Sequence, residues 1–164
     1  MHTKAKDHWK LFKPSACSLK LKATDQEGVF QEIVSILVKA KMLPADHADA
    51  AVDAFQKREE VASTGVGMNV AIPHVKLSGL EEPVVSLCLS PEGVHWNAVD
   101  GEPAKIFFAV LRPERAGDKF DPDRHIEMMR WISNVVREAD FRRFALAATK
   151  RTELVDLLKE MSQG

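Results

Sequence analysis

Two apolar runs constrain the fold of this chain more than any other feature of its sequence. Residues 84–89 read VVSLCL and residues 106–111 read IFFAVL. Such runs are typical of strands covered on both faces, whereas a strand with one solvated face alternates apolar and polar residues. A third short run, residues 70–72, ends at Pro73, which cannot continue a central strand. The sequence therefore predicts a sheet that is buried on both sides.

Helical patterns surround these runs. A capping box with Thr24 as N-cap and Glu27 three residues later opens a first helix, and a second is predicted over residues 46–61. Asp121 and Pro122 form the start of a third, and two more follow. The order β-α-α-β-β-β-α-α-α predicts an α/β fold with a mixed central sheet of four to five strands and helices on both faces, an α/β/α sandwich.

Length and charge restrict the class of protein. A chain of 164 residues with 45% hydrophobic residues predicts one globular domain. The 23 basic and 24 acidic residues give a net charge of -1, so neither a nucleic acid nor an anionic membrane is expected as the main partner. No apolar run is long enough to span a bilayer, and no signal peptide is evident. Cys17 and Cys88 form no disulfide framework or zinc pattern, which favours the cytoplasm.

The N-terminal segment has a different composition from the rest. The first 22 residues contain six lysines and one acidic residue, Asp7. This pattern predicts a frayed, solvated Lys-rich leader over residues 1–18, followed by the folded domain over residues 19–164.

Two histidines stand out as candidate functional residues. His74 directly follows a predicted buried strand and Pro73, at a position where strands commonly present functional groups. Gly65 and Gly67 precede it in a loop that could bring backbone N–H groups close to an anion. His125 is predicted in the first turn of a helix, whose N-terminus favours an anion. Taken alone, each histidine is more often structural, and the sequence offers no P-loop or dinucleotide-binding loop.

Four short segments, taken together, resemble a known family in order and spacing: the IIA domain of the fructose/mannitol class of the bacterial phosphoenolpyruvate-dependent phosphotransferase system. They are Arg58-Glu59, Ser63-Thr64-Gly65-Val66-Gly67, Ala71-Ile72-Pro73-His74 and His125-Ile126. The resemblance covers residues 19–161.

This resemblance implies a role for each matched residue. His74 matches the histidine that is phosphorylated, His125 the second active-site histidine, and Arg58 the arginine beside the phosphate. Thr64, Gly65 and Gly67 match the loop that lines the pocket. The family fold is a mixed sheet with helices on both sides, in agreement with the predicted element order.

The implied chemistry requires neither a metal nor another cofactor. A neutral imidazole is an adequate nucleophile at pH 7, and phosphoryl transfer needs positioning and charge stabilisation above all. The implied donor is a histidine phosphocarrier protein, and the implied acceptor is a downstream regulatory protein or a IIB domain. The sequence does not decide which nitrogen of His74 is phosphorylated.

Three positions depart from the family pattern. Asn69 stands where the family often has glycine, and asparagine tolerates a positive φ. Val75 stands where a small residue is usual and could narrow access to His74. Residues 112–124 contain four basic and four acidic side chains and so form no plain cationic patch. These departures affect the expected transfer rate and partner, and remove no phosphate-handling residue.

Several functions remain compatible with the sequence. A free-standing chain without a permease or IIB segment favours the nitrogen-regulatory branch of the family, in which phosphorylation controls partner proteins. A IIA component of fructose or mannitol uptake is the first alternative. A IIA-like binding module that no longer transfers phosphate is the second. A metal site on His74 and His125 lacks a third ligand in the sequence.

Overall fold

The structure, a computed structural model, describes residues 5–163 of the chain. Short 3-10 helices lie at Ala5–Leu11, Pro14–Ala16 and Ala45–His47. The α-helices in this part of the chain are α1 (Gln26–Lys39), α2 (Ala48–Val61), α3 (Pro122–Arg137), α4 (Ala139–Ala147) and α5 (Arg151–Met161). The strands are β1 (Gly65–Gly67), β2 (Val70–Ala71), β3 (His74–Lys76), β4 (Val84–Val94) and β5 (Ala104–Arg112).

Strand β5 is the centre of a five-stranded mixed sheet. It pairs antiparallel with β4 along nearly its whole length. On its other edge, the short strands β2 and β3 both run parallel to β5, with Val70 opposite Ile106 and His74 opposite Val110. Pro73 separates these two short strands because it has no N–H to donate, although its carbonyl still accepts from Val110 N at 2.9 Å. His74 therefore starts a strand beside the carboxyl end of β5.

The two faces of β5 belong to two separate hydrophobic cores. Ile106, Phe108 and Val110 pack with residues of α3, α4 and α5. The alternate residues Phe107 and Ala109 pack with residues of α1 and α2. The apolar run of β5 thus contributes to the cores on both faces of the sheet. The α/β/α sandwich predicted from the sequence is confirmed.

The expectation of a solvated leader is wrong over residues 8–17. Phe12 is 1% exposed and packs edge-on against Phe108 with ring centroids 5.7 Å apart. His8 and Cys17 are also buried. The lysines of this segment are interleaved with apolar residues, and burial of those residues against the sheet and α3 outweighs the solvation of the charges. Residues 1–4 of the leader lie outside the described part of the chain.

Helix starts follow the capping rules, with one difference. Asp121 caps α3, as predicted, and its side chain accepts from Asp123 N. In α1 the cap is Asp25, one residue after the predicted Thr24, and its Oδ1 accepts from Gly28 N at 2.8 Å.

Between residues 5 and 163, none of the helices combines the length and the apolar character needed to cross a membrane.

Candidate active site

His74 is exposed at the carboxyl edge of the sheet, and its ring is oriented by the backbone. Its Nδ1 lies 2.8 Å from the carbonyl oxygen of Ile72. A carbonyl can only accept, so Nδ1 carries the hydrogen and donates it. In the neutral imidazole, Nε2 is then the nitrogen with a free lone pair, and no described residue forms a hydrogen bond with it. The fold thereby selects one tautomer of this histidine.

His125 lies in the first turn of α3 and has a different environment. Its Nδ1 is buried without a hydrogen-bond partner among the described residues, and its ring makes an edge contact with Phe120 at 5.4 Å. Burial, followed by the charges of Arg112 and His74, lowers the pKa of His125 to about 4. The imidazole is therefore neutral at pH 7 and can donate one hydrogen bond.

Arg58 lies in the last turn of α2 and reaches over the end of its own helix. Its Nη1 donates to the carbonyl oxygen of Ala62 at 2.7 Å, which satisfies a terminal carbonyl and orients the guanidinium. A guanidinium has five N–H donors, so the remaining ones are available to a ligand.

These three side chains share one cavity of about 450 Å³, which we call the histidine cavity. Arg58 and His125 come from different helices on opposite faces of the sheet, and His74 comes from the sheet edge between them. The described residues that line it are Ala54, Arg58, His74, Val75, Lys76, Arg112 and His125. The lining is cationic and contains no carboxylate among these residues, which suits an anion.

The predicted pocket loop lies elsewhere: Thr64, Gly65 and Gly67 are not part of the cavity lining. Thr64 is 4% exposed. The carboxylate of Glu59 accepts from Thr64 N and from Thr64 Oγ1, both at 2.7 Å, and Trp96 Nε1 donates to Thr64 Oγ1 at 3.0 Å. We call Glu59, Thr64 and Trp96 the threonine cluster.

The two glycines serve close packing and a tight turn. A Cβ on Gly65 would lie 3.0 Å from the Cβ of Ala98. Gly67 has φ +87, and a Cβ there would lie 3.0 Å from Asp100 Oδ2. Gly65 N donates to Ser63 Oγ and Met68 N donates to Asp100 Oδ2, so these two N–H groups of the loop are used within the protein and not for the expected anion. The turn continues through Asn69 at φ 65, which confirms the expectation for that residue.

Comparison with known protein families gives the same family as the four matched segments of the sequence. The family model described as "Phosphoenolpyruvate-dependent sugar phosphotransferase system, EIIA 2" matches residues 10–161. The chain belongs to this family. The members of the EIIA type 2 family are phosphotransfer components. The match begins at residue 10, inside the N-terminal segment that packs against the core.

The relatives of this EIIA domain include a sugar-specific component and a nitrogen regulatory protein. It is 32% identical over 144 residues to the "PTS system fructose-specific EIIA component" of Haloferax volcanii, covering 88% of this chain and 89% of that protein. It is 27% identical over 151 residues to the "Nitrogen regulatory protein" of Pseudomonas aeruginosa, covering 92% and 94%. The crystal structure of nitrogen regulatory protein IIA-Ntr from Neisseria meningitidis has the same fold, with a TM-score of 0.80 at 23% identity over 92% and 97% of the two chains.

Sequence reasoning missed two residues of this region of the EIIA domain. Glu59 stands out in the sequence only as the neighbour of Arg58 in a matched segment, whereas in the structure its carboxylate anchors Thr64. Arg112 was read as the start of a mixed-charge loop, but it lines the histidine cavity. A signal for Arg112 was its place at the end of the run in residues 106–111, since functional side chains collect at strand ends.

The structure also shows the surroundings of Val75 and tests the metal-site alternative. Val75 contributes to the cavity lining beside His74 and packs partly against the core on the α1–α2 face.

Within residues 5–163, no three His, Cys, Asp or Glu side chains are grouped to hold a metal ion. The metal alternative therefore receives no support from the geometry of His74 and His125.

Proposed function

We propose that this EIIA domain is a phosphocarrier that accepts a phosphoryl group on His74 from a histidine phosphocarrier protein in the cytoplasm. In this proposal, Arg58 and His125 stabilise the phosphoryl group. The phosphorylated and unphosphorylated forms then act on downstream proteins in a nitrogen-regulatory type of phosphorelay.

One observation carries the proposal: the hydrogen bond from His74 Nδ1 to Ile72 O in an exposed cavity lined by cations. It leaves the Nε2 lone pair as the nucleophile, and we propose Nε2 as the phosphorylated atom. An exposed histidine is accessible to a partner protein, and Arg58 supplies a permanent positive charge with a fork that matches phosphate oxygens.

The transfer step balances without a further reactant. His74 Nε2 forms a bond to phosphorus while the phosphorus–nitrogen bond of the donor phosphohistidine breaks, and its electron pair returns to the donor imidazole. The proton on His74 Nδ1 stays in its hydrogen bond to Ile72 O, which disperses the positive charge that develops on the ring. Arg58 binds phosphate oxygens, and neutral His125 donates one hydrogen bond.

A sugar-uptake role is the second candidate, because the fructose-specific component of Haloferax volcanii is 32% identical to this chain. In that role a IIB domain would accept the phosphoryl group. The two roles share the first transfer step and differ in the acceptor. A third possibility, a binding module without transfer, requires that His74 never becomes phosphorylated.

The proposal is tested by labelling with radioactive phosphoenolpyruvate, enzyme I and a histidine phosphocarrier protein. We compare wild type with His74→Ala and with His95→Ala, which removes another exposed histidine outside the cavity. We expect acid-labile label on wild type and His95→Ala only. Label on His74→Ala would refute the assignment of the nucleophile.

The labelled protein then serves to separate the candidate roles. Transfer of the label to a purified fructose-class IIB domain would favour sugar uptake over the regulatory role. Absence of label on the folded wild type, with an active IIA as positive control, would favour the binding module.

A further inference from the structure

Arg112 is part of the histidine cavity because of its place in the sheet. It is the last residue of β5 and lies opposite Lys76 of β3 in the strand register. The mixed-charge loop begins only after it. The position of Arg112 is therefore set by the sheet that also positions His74, and the two residues line the same cavity.

The guanidinium of Arg112 is held in place by its neighbours. Its Nη1 donates to the carbonyl oxygen of Pro113 at 3.0 Å, and it lies over the ring of Phe120, 5.4 Å from the centroid. Phe120 in turn contacts the ring of His125. Arg58 is held in the same way, through one Nη1 bond to a backbone carbonyl. Each arginine thus keeps most of its N–H donors for another acceptor.

The structure provides no acidic partner for Arg112. Among the described residues, no carboxylate forms an ion pair with its guanidinium, and the cavity lining contains none. Arg112 is half-buried, and a charge taken partly out of water is costly unless it is paired. The arrangement is that of a cation oriented toward an anion that arrives from solution.

Arg58 alone does not balance the negative charge of a phosphoryl group. Such a group carries roughly −1.5 to −2 charges at pH 7, of which the permanent charge of Arg58 offsets one. One guanidinium would leave much of the negative charge unbalanced. Lys76 also lines the cavity, but it is exposed, whereas Arg112 is half-buried there and supplies a second guanidinium.

We propose that Arg112 is a second phosphate-binding residue, which contacts the phosphoryl group on His74 together with Arg58. This inference rests on the proposed function and deepens it, because it concerns the same cavity. Arg112 forms no covalent bond in the transfer. It stabilises the phosphoryl group during transfer and in the phosphorylated protein.

The experiment compares Arg112→Gln and Arg112→Lys with Arg115→Gln, which removes an exposed arginine outside the cavity. The first readout is the rate of labelling by the phosphocarrier protein. The second uses phosphoramidate, a small chemical donor, to phosphorylate each variant without a partner. The phosphoryl group is then titrated by ³¹P NMR, with His74→Ala to identify the resonance of His74.

We expect Arg112→Gln to slow labelling by about 10- to 100-fold and to raise the pKa of the phosphoryl group by about one unit, because a neighbouring cation is lost. Arg112→Lys retains the charge and the aliphatic stem but not the fork, so both effects should be smaller. Arg115→Gln should behave as wild type. Thermal denaturation of each variant checks that the fold is retained, and Arg112→Lys keeps the test decisive if Arg112→Gln does not fold.

Two results would overturn the inference. Equal labelling rates and equal ³¹P titrations for Arg112→Gln and Arg115→Gln would remove Arg112 from the site. Slower labelling with an unchanged titration would show that Arg112 contacts the partner protein and not the phosphate. If the carrier fails to label wild type while phosphoramidate still modifies His74, the proposed function fails, and the titration alone decides the role of Arg112.

Discussion

The histidine cavity and the threonine cluster each include a residue from the last turn of α2, and they differ in how their polar groups are satisfied. In the threonine cluster, the Glu59 carboxylate, the Thr64 hydroxyl and the Trp96 indole N–H are all joined by hydrogen bonds. In the histidine cavity, His125 Nδ1 has no partner among the described residues, and Arg112 forms no ion pair with a described carboxylate.

This difference distinguishes structural from candidate functional residues within one short stretch of sequence. Buried polar groups are normally hydrogen-bonded within the protein, and the threonine cluster obeys that rule. In the histidine cavity, the guanidinium groups of Arg58 and Arg112 each donate one hydrogen bond to a backbone carbonyl and keep further N–H donors for a ligand. Two adjacent residues, Arg58 and Glu59, therefore have different tasks: Arg58 lines the histidine cavity, and Glu59 holds the chain that follows the helix.

The largest expected effect is on stability, from Glu59→Ala. The substitution leaves the buried N–H and hydroxyl of Thr64 without their acceptor, which should lower the free energy of unfolding by about 2–4 kcal/mol. Glu60→Ala, which alters the exposed neighbour, is the matched control and should change it by about 0.5 kcal/mol or less. Urea denaturation measures both. A Glu59→Ala variant as stable as wild type would show that the threonine cluster is not structural.

The next effect concerns transfer, from His125→Ala. Loss of one hydrogen-bond donor to the phosphoryl group should slow labelling of His74 by about 100-fold without abolishing it. His95→Ala serves as the control. The measurement is the initial rate of labelling by the phosphocarrier protein, and an unchanged rate would assign His125 to packing against Phe120 instead.

A smaller effect on transfer is expected from Arg58→Lys. Lysine keeps the charge but cannot reproduce the planar fork, so we expect labelling to slow by about 10-fold. Lys57→Ala, which removes the exposed cation next to it, should leave the rate close to that of wild type. Equal rates for Arg58→Lys and wild type would mean that charge alone is needed at this position.

The effect that is smallest at pH 7 is a pH dependence of stability that originates in the histidine cavity. His125 has its pKa lowered from 6.5 to about 4 in the folded protein, first by burial, so the unfolded chain binds a proton at a higher pH than the folded one. The stability that neutral His125 contributes is complete above about pH 6.5 and is lost as the pH falls toward 4. Burial also lowers the pKa of His8, so the contribution of His8 to stability likewise decreases as the pH falls.

Thermal denaturation between pH 7.5 and 4.5 measures this dependence. We expect Tm to fall less steeply with pH in His125→Gln than in wild type, and the same for His8→Gln. His95→Gln, which alters an exposed ring, provides the control. Parallel curves for wild type and His125→Gln would contradict the neutral state of His125 in the fold.

Local patterns were sufficient for most of the fold. The apolar runs at residues 84–89 and 106–111 correspond to strands β4 and β5, and Asp121 caps α3 as predicted. The differences lie where tertiary contacts override local preference. The Lys-rich segment around Phe12 packs onto the sheet, and the three-residue strand β3 exists only because β5 offers it an edge.

The candidate site shows the same division. The family resemblance selects His74, His125 and Arg58 from short, recognisable segments, and the structure brings all three to one cavity. It did not separate Gly65 and Gly67 from the cavity, because a glycine in a tightly packed turn and a glycine beside a ligand look alike in a sequence.

The sequence by itself thus determined the two-sided sheet, the order of the helices and the residues that could handle a phosphoryl group. The sheet and the helices follow from hydrophobic period and from capping and turn residues, which act over a few positions of the chain. The residues that could handle a phosphoryl group are implied by the family resemblance of four short segments. Only the tertiary structure decided that Nδ1 of His74 donates to Ile72 O, that Glu59 belongs to Thr64 and that Arg112 joins Arg58 in one cavity. Those relations depend on strand register and helix packing between residues distant in the chain, and no local pattern encodes such distances.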